Sequence, residues 1–139
     1  MKEEKEGMEE RKGIDGEYKC EQEAEPTGKE HAVLVQRAKR KMPEESKILQ
    51  MCAGFKAIGE PSRMKILLAL MEGELCVYHI MQAVGGNQSN VSHQLRILKD
   101  ARIIRARREG KNVVYSIADE HVASILMMSR AHLECAGEV

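Results

Sequence analysis

The chain has 139 residues, enough for one domain with an extension and a core of its own. Its 22 Lys and Arg balance 22 Asp and Glu, and one Phe, three Tyr and no Trp exclude a platform that stacks single-stranded bases. Four cysteines with no CxxC pair exclude a disulfide scaffold and a zinc ribbon, and the lack of an apolar run of about 18 residues or of a leader pattern predicts a cytoplasmic protein with no membrane partner.

The charge balance hides an asymmetry. Residues 1–30 hold eleven acids against six Lys or Arg, too polar to bury the surface that ordering requires. Residues 1–42 are therefore expected to be a mobile acidic tail, with HAVLVQRAKRKM at 31–42 forming a short helix that ends before Pro43. From residue 43 onward the chain reads as one folded domain.

PEESKILQMCAGFKAIG, 43–59, repeats apolar residues at Ile48, Leu49, Cys52, Phe55 and Ile58, an amphipathic helix stopped by Gly59. EPSRMKILLALMEG, 60–73, starts a second helix on Pro61 and stops at Gly73. ELCVYHIMQAVGG, 74–86, predicts a shorter helix closed by two glycines. NQSNVSHQLRILKDARI, 87–103, predicts a longer one with Val91, Leu95 and Leu98 inward. IIRARREGKNVVYSI, 103–117, alternates about Glu109-Gly110 as a two-stranded hairpin, and ADEHVASILMMSRAHLEC, 118–135, is a terminal helix. Helix pairs joined by a brief turn, then a hairpin, make a mainly α winged helix-turn-helix.

Gln88, Ser89, Asn90, Ser92 and His93 open the second helix of that motif, where base edges are read in the major groove. Read without its surroundings, Ser89 is equally an N-cap and the others solvated surface. The surroundings weigh toward duplex DNA: residues 87–115 hold seven basic residues against two acids. Among them Arg105, Arg107, Arg108 and Lys111 gather at the hairpin, with Arg96, Lys99 and Arg102 beside it.

FKAIGEPSRMKILLAL, ELCV, QSNVSHQLRILK, RARREGKNVVYSI and a D-x-H followed by a later His together resemble the ArsR/SmtB family of metal-responsive repressors, over residues 47–135. The branch most similar is the zinc- and cobalt-sensing one. The resemblance implies a homodimer, joined through the terminal helices, that binds an inverted-repeat operator and is released when Zn²⁺ or a similar ion (Co²⁺, Ni²⁺, Cd²⁺) fills terminal-helix sites. Genes of metal efflux or sequestration would then be derepressed. It makes Asp119, His121, His132 and Cys135 the ligands, although the last position is commonly His or Glu in the family, so Glu134 and Glu138 are alternatives. It also makes the Arg102 backbone carbonyl the acceptor of the second ring N–H of His132.

The residues bear on that implication. His121, Ile125, Met128, His132 and Cys135 share one helix face, which by itself is more commonly a face that packs against another helix, with the histidines as core or interface residues. His121 and His132 stand eleven residues apart, roughly 16 Å along a helix, too far to share one ion within a chain. Two such helices packed antiparallel about a two-fold axis bring Asp119 and His121 of one beside His132 and Cys135 of the other, a suitable tetrahedral set for Zn²⁺.

A second site, assembled across a dimer from Cys76, His79, Cys20 and His31, would make the chain a cadmium, lead or arsenite sensor or a redox repressor. In the thiolate-binding branch ELCV is followed by another cysteine, where this chain has Tyr78. Core packing is the plainer role for Cys76 and Cys52. An enzyme is not expected, since no phosphate loop or paired-carboxylate motif accompanies these cysteines and His79.

Overall fold

The computed structural model describes residues 25–137, which fall into two units, one ending at Met42 and one starting at Pro43. The first unit holds helix α1, Glu25–Lys41. It begins six residues before the expected 31, because Pro26 in the first turn needs no hydrogen-bond acceptor and the polar residues after it continue the helix. Lys39, Arg40 and Lys41 fill its last turn, where positive charge meets the negative end of the helix dipole.

The second unit runs α2 (Glu45–Ile58), α3 (Pro61–Leu70), β1 (Leu75–Cys76), α4 (Val77–Val84), α5 (Gln88–Asp100), β2 (Ile104–Glu109), β3 (Asn112–Ile117) and α6 (Glu120–Cys135). The strands form an antiparallel sheet in the order β1-β3-β2. β1 lies within the stretch read as helix, and its two residues pair with Tyr115 and Val114 of β3. A strand so short shows no alternation to read.

The core forms where the apolar spacings converge. Ile66, Leu67 and Leu70 of α3, Ile80 of α4, and Val91, Leu95 and Leu98 of α5 are buried together with Ile103, Ile104, Val122 and Leu126. Burial of each such aliphatic side chain stabilises by roughly 1.5–3 kcal/mol. α5 therefore turns its i, i+4, i+7 stripe inward and presents the opposite side to solvent.

Two corners set the attitude of α5. At the first, the Glu60 carboxylate caps α3 by accepting from the Arg63 N–H at 3.0 Å. Arg63 itself reaches out from α3: its Nε donates to the Ala57 carbonyl at 2.6 Å, one Nη to the Lys56 carbonyl at 3.4 Å, and the other to Gln94 Oε1 on α5 at 3.0 Å. One guanidinium thus ties α2, α3 and α5 together.

The second corner is the turn between α4 and α5, where Gly85 and Gly86 take φ of 79° and 89°, a left-handed pair that side chains rarely adopt. The cap of α5 is Asn87, whose Oδ1 accepts from the Asn90 N–H at 2.8 Å. Ser89 is not the cap; it sits inside the first turn.

At its other end α5 passes straight into the wing. Ala101 is the C-cap, Arg102 follows at φ 59°, and the Arg102 and Ile103 N–H groups donate to the Lys99 and Leu98 carbonyls at 2.9 and 3.0 Å. That is a Schellman closure with buried Leu98 and Ile103 as its apolar pair. β2 starts at the next residue, and the hairpin turns at Gly110-Lys111, with Gly110 at φ 62°.

α2 and α6 keep large apolar surfaces uncovered. Only Ala57 and Ile58 of α2 are buried, whereas Leu49, Met51 and Phe55 are exposed, and Cys52 is exposed with them. The expectation of a core role for Cys52 is corrected here. Helical periodicity marks an apolar face and does not say whether the same chain covers it. On α6, Val122 and Leu126 are buried while Ile125, Met127, Met128 and Leu133 are exposed.

Candidate DNA interface and metal-sensing helix

The start of α5 presents Gln88, Ser89, Asn90, Ser92 and His93, all exposed, and Arg96 extends the same surface one turn on. Ser89, His93 and Arg96 lie across the helix from Val91 and Leu95, so burial of those two turns them outward, while Gln88 stands above the buried stripe in the first turn. This is the geometry of a helix offered to a groove.

The wing cations divide. Residues alternate along β2, with Ile104 buried and Ala106 half-buried on the core side, so Arg108 continues that side toward the tip, where Lys111 sits in the turn. Arg105 and Arg107 lie on the opposite face. Arg105 is near enough to Asp119 for its charge to help hold that carboxylate ionised. Arg107 is not free: it donates to Glu74 Oε2 and lies 3.2 Å from Glu109 Oε2. Its expected place in a cluster of four cations at the tip is corrected accordingly. The bond from Arg107 holds the Glu74 carboxyl below its usual range, and the same bond raises Arg107. Glu74 had no signal in the sequence, lying 33 residues from its partner. Nor had Gln94, the acceptor for Arg63.

On α6 the cap and the candidate site coincide. Asp119 Oδ1 accepts from the His121 and Val122 N–H groups at 2.9 and 3.1 Å, as expected of an N-cap, and lies 3.5 Å from His121 Nδ1. The Val122 N–H is the largest cause of a lowered Asp119 pKa, with the His121 N–H adding to it, so the carboxylate is held ionised. Both side chains are open to solvent, His121 at 93%. His132 and Cys135 are exposed at the other end of the same helix, as is Glu134, which pairs with Arg130 at 3.1 Å; Arg102, in the closure after α5, is exposed as well. Glu138 lies outside the described residues.

Among the described residues no three His, Cys, Asp or Glu side chains of one chain gather as a metal site. A carboxylate, two imidazoles and a thiolate nonetheless suit a four-coordinate divalent ion, and α6 offers them as two accessible pairs, one per end. The donor set fits the ion as two half-sites.

Cys76 is half-buried at the start of α4, its Sγ 3.3 Å from His79 Nδ1, and the two face a depression shared with Glu74 and Arg107. The expectation of a core role for Cys76 is corrected: strand pairing puts it opposite Val114, on the face of the sheet away from the core. His31 lies on α1, in the other unit, and Cys20 is outside the described residues.

Comparison with known proteins agrees with this geometry. Residues 60–106 match the family model described as bacterial regulatory protein, arsR family. A transcriptional repressor SmtB homolog from Synechocystis is 36% identical over 118 residues, 83% of this chain and 89% of that protein. A cadmium resistance transcriptional regulatory protein, the CadC homolog of Staphylococcus aureus, is 36% identical over 103 residues, 73% of this chain and 84% of that one. Among solved structures, the homodimeric winged helix-turn-helix DNA-binding domain of a possible ArsR-family regulator from Mycobacterium bovis superposes with a TM-score of 0.61 at 31% identity, covering 68% of this chain and 89% of its own. No helix among the described residues is long and apolar enough to cross a membrane. With its winged helix-turn-helix, its exposed reading helix and these relatives, the chain belongs to the ArsR/SmtB family of metal-responsive, DNA-binding transcriptional repressors.

Proposed function

We propose that two copies pair through α6 and α2, bind an inverted-repeat operator with two α5 helices and two wings, and are released when Zn²⁺ occupies sites shared between the two α6 helices. The observation that carries this reading is the Asp119–His121 pair, exposed beside the capped end of a helix whose apolar residues Ile125 and Met128 are uncovered. Antiparallel pairing of α6 covers those residues and sets Asp119 and His121 of one copy beside His132 and Cys135 of the other.

Bound there, the ion supplies a link between the two copies. His132 and Cys135, three residues apart, turn to the same side of the helix and act together. The second ring N–H of His132 is offered to the Arg102 carbonyl, which joins the sensor helix to the closure between α5 and the wing. Release requires that the ion favour the conformation with lower DNA affinity, and a coupling of about 1–3 kcal/mol is the usual size of such an effect. Co²⁺, Ni²⁺ and Cd²⁺ are further effectors for the same donor set, the thiolate favouring Cd²⁺ over harder ions.

Fluorescence anisotropy on labelled upstream duplex, titrated with Zn²⁺, tests the reading. The native chain should be released and His132→Ala should stay bound with its metal-free affinity intact. Equal release of both would refute the terminal-helix site, and response to Cd²⁺ alone, lost in Cys76→Ser, would move sensing to the Cys76–His79 pair.

A further inference from the structure

We infer that Glu74 and Arg107 form a clamp that sets the attitude of the wing, so that Arg107 is a positioning residue and the phosphate contacts of the wing come from Arg108 and Lys111. Arg107 is on the face of the sheet away from the core, in the row Cys76, Val114, Arg107 that crosses all three strands. Glu74 precedes β1 in the turn after α3, so its bond to Arg107 spans the sheet and joins the wing to the body of the domain.

Charge arithmetic decides the role. Arg107 faces two carboxylates, Glu74 and Glu109, and the three groups together carry one negative charge. A phosphate approaching Arg107 meets that net negative cluster, and for Arg107 to accept it the guanidinium must leave two carboxylates that are already in place. Arg108 is on the other face of β2 and Lys111 in the turn, and among the described residues neither takes part in an ion pair. Those two charges are available to a backbone phosphate. An isolated exposed ion pair adds little stability, so the consequence of this one is orientation.

Electrostatic binding to duplex DNA reports how many phosphates a protein neutralises, because the logarithm of affinity falls with the logarithm of salt by about 0.9 per phosphate contact. Anisotropy of the full chain on a labelled 30-base-pair duplex (a length of about three helical turns) across a salt series needs neither metal nor operator. It thus stays informative if the zinc-release reading fails. Arg108→Gln should lower the slope by about 0.9 for each wing engaged. Arg107→Gln should leave the slope unchanged, and Glu74→Gln should steepen it by freeing Arg107.

The clamp itself is read on the upstream duplex against an unrelated one. Arg107→Gln and Glu74→Gln should each reduce the preference for the upstream sequence, and the exchanged pair Glu74→Arg with Arg107→Glu should restore it, since opposite charges again face each other across the sheet. A slope lowered by Arg107→Gln as much as by Arg108→Gln, with no restoration in the exchanged pair, would overturn the proposal and make Arg107 a phosphate ligand.

Discussion

Replacing Arg63 with methionine keeps the stem of the side chain and removes the guanidinium that joins three helices. Two well-formed bonds disappear, to the Ala57 carbonyl at 2.6 Å and to Gln94 Oε1 at 3.0 Å, while the third, to Lys56 at 3.4 Å, is long enough to count for little. Bonds to a charged group contribute roughly 1.5–3 kcal/mol each, and loss of a cation from the C-terminus of α2 adds about 0.3–1 kcal/mol. The side chain is 14% exposed, so water reaches part of the gap and the sum falls to the low end, about 3 kcal/mol. For a domain of this size that is a fall of roughly 10–20 °C in Tm. Urea unfolding at fixed protein concentration measures it, since pairing of subunits makes the midpoint concentration-dependent. Arg63→Lys should recover only the charge component, about 0.3–1 kcal/mol. Gln94→Ala, combined with Arg63→Met, should show a coupling of about 1 kcal/mol. A loss under about 0.5 kcal/mol, the usual range for a surface change, or strict additivity with Gln94→Ala, would refute the view that this fork holds the reading helix in place.

Glu60 is held ionised first by the Arg63 N–H, so its folded pKa lies below the ordinary 4.5. A depressed carboxyl stabilises the fold above its unfolded pKa and loses that contribution as pH falls through the folded value. Glu60→Gln should flatten the decline of the urea midpoint on the acid side of the ordinary carboxylate range while leaving the profile above it parallel to the native one. Arg102→Gly should stabilise: left-handed strain of about 1–2 kcal/mol is relieved, less about 0.5–1 kcal/mol for the unfolded-state freedom of glycine, for a net gain near 0.5–1 kcal/mol in urea unfolding. Gly110→Ala should have the opposite sign, a loss of about 1 kcal/mol, because φ is +62° and the space around its Cβ is open, so conformation alone sets the penalty.

The helix-turn-helix was legible because local rules agree there: the Val91, Leu95, Leu98 spacing, a glycine pair where the chain must turn left-handed, and alternation on both sides of Gly110. The Asp119 cap was legible for the same reason. The choice between Asn87 and Ser89 as the cap of α5 was not, since both residue types cap helices and only the exit from Gly85-Gly86 decides. Glu74 with Arg107 and Arg63 with Gln94 are separated by 33 and 31 residues, and no local pattern announces such pairs. The outward faces of α2 and α6 were read as apolar, but periodicity does not say whether the same chain covers them.

The absence of a linker between α5 and β2 limits how the molecule can adapt. Ile103 completes the closure of the helix and Ile104 already pairs in the sheet, so no residue between them is free to act as a hinge. The reading helix and the base of the wing are therefore joined without a hinge, and only the outer part of the wing is left for the Glu74–Arg107 bond to hold. In the proposed dimer, tolerance to operators of different spacing and response to a ligand on α6 then draw on the same remaining freedom, the distance and tilt between the two reading helices. Half-sites one turn of B-DNA apart demand about 34 Å. A change that alters that separation is felt at every base the two helices read.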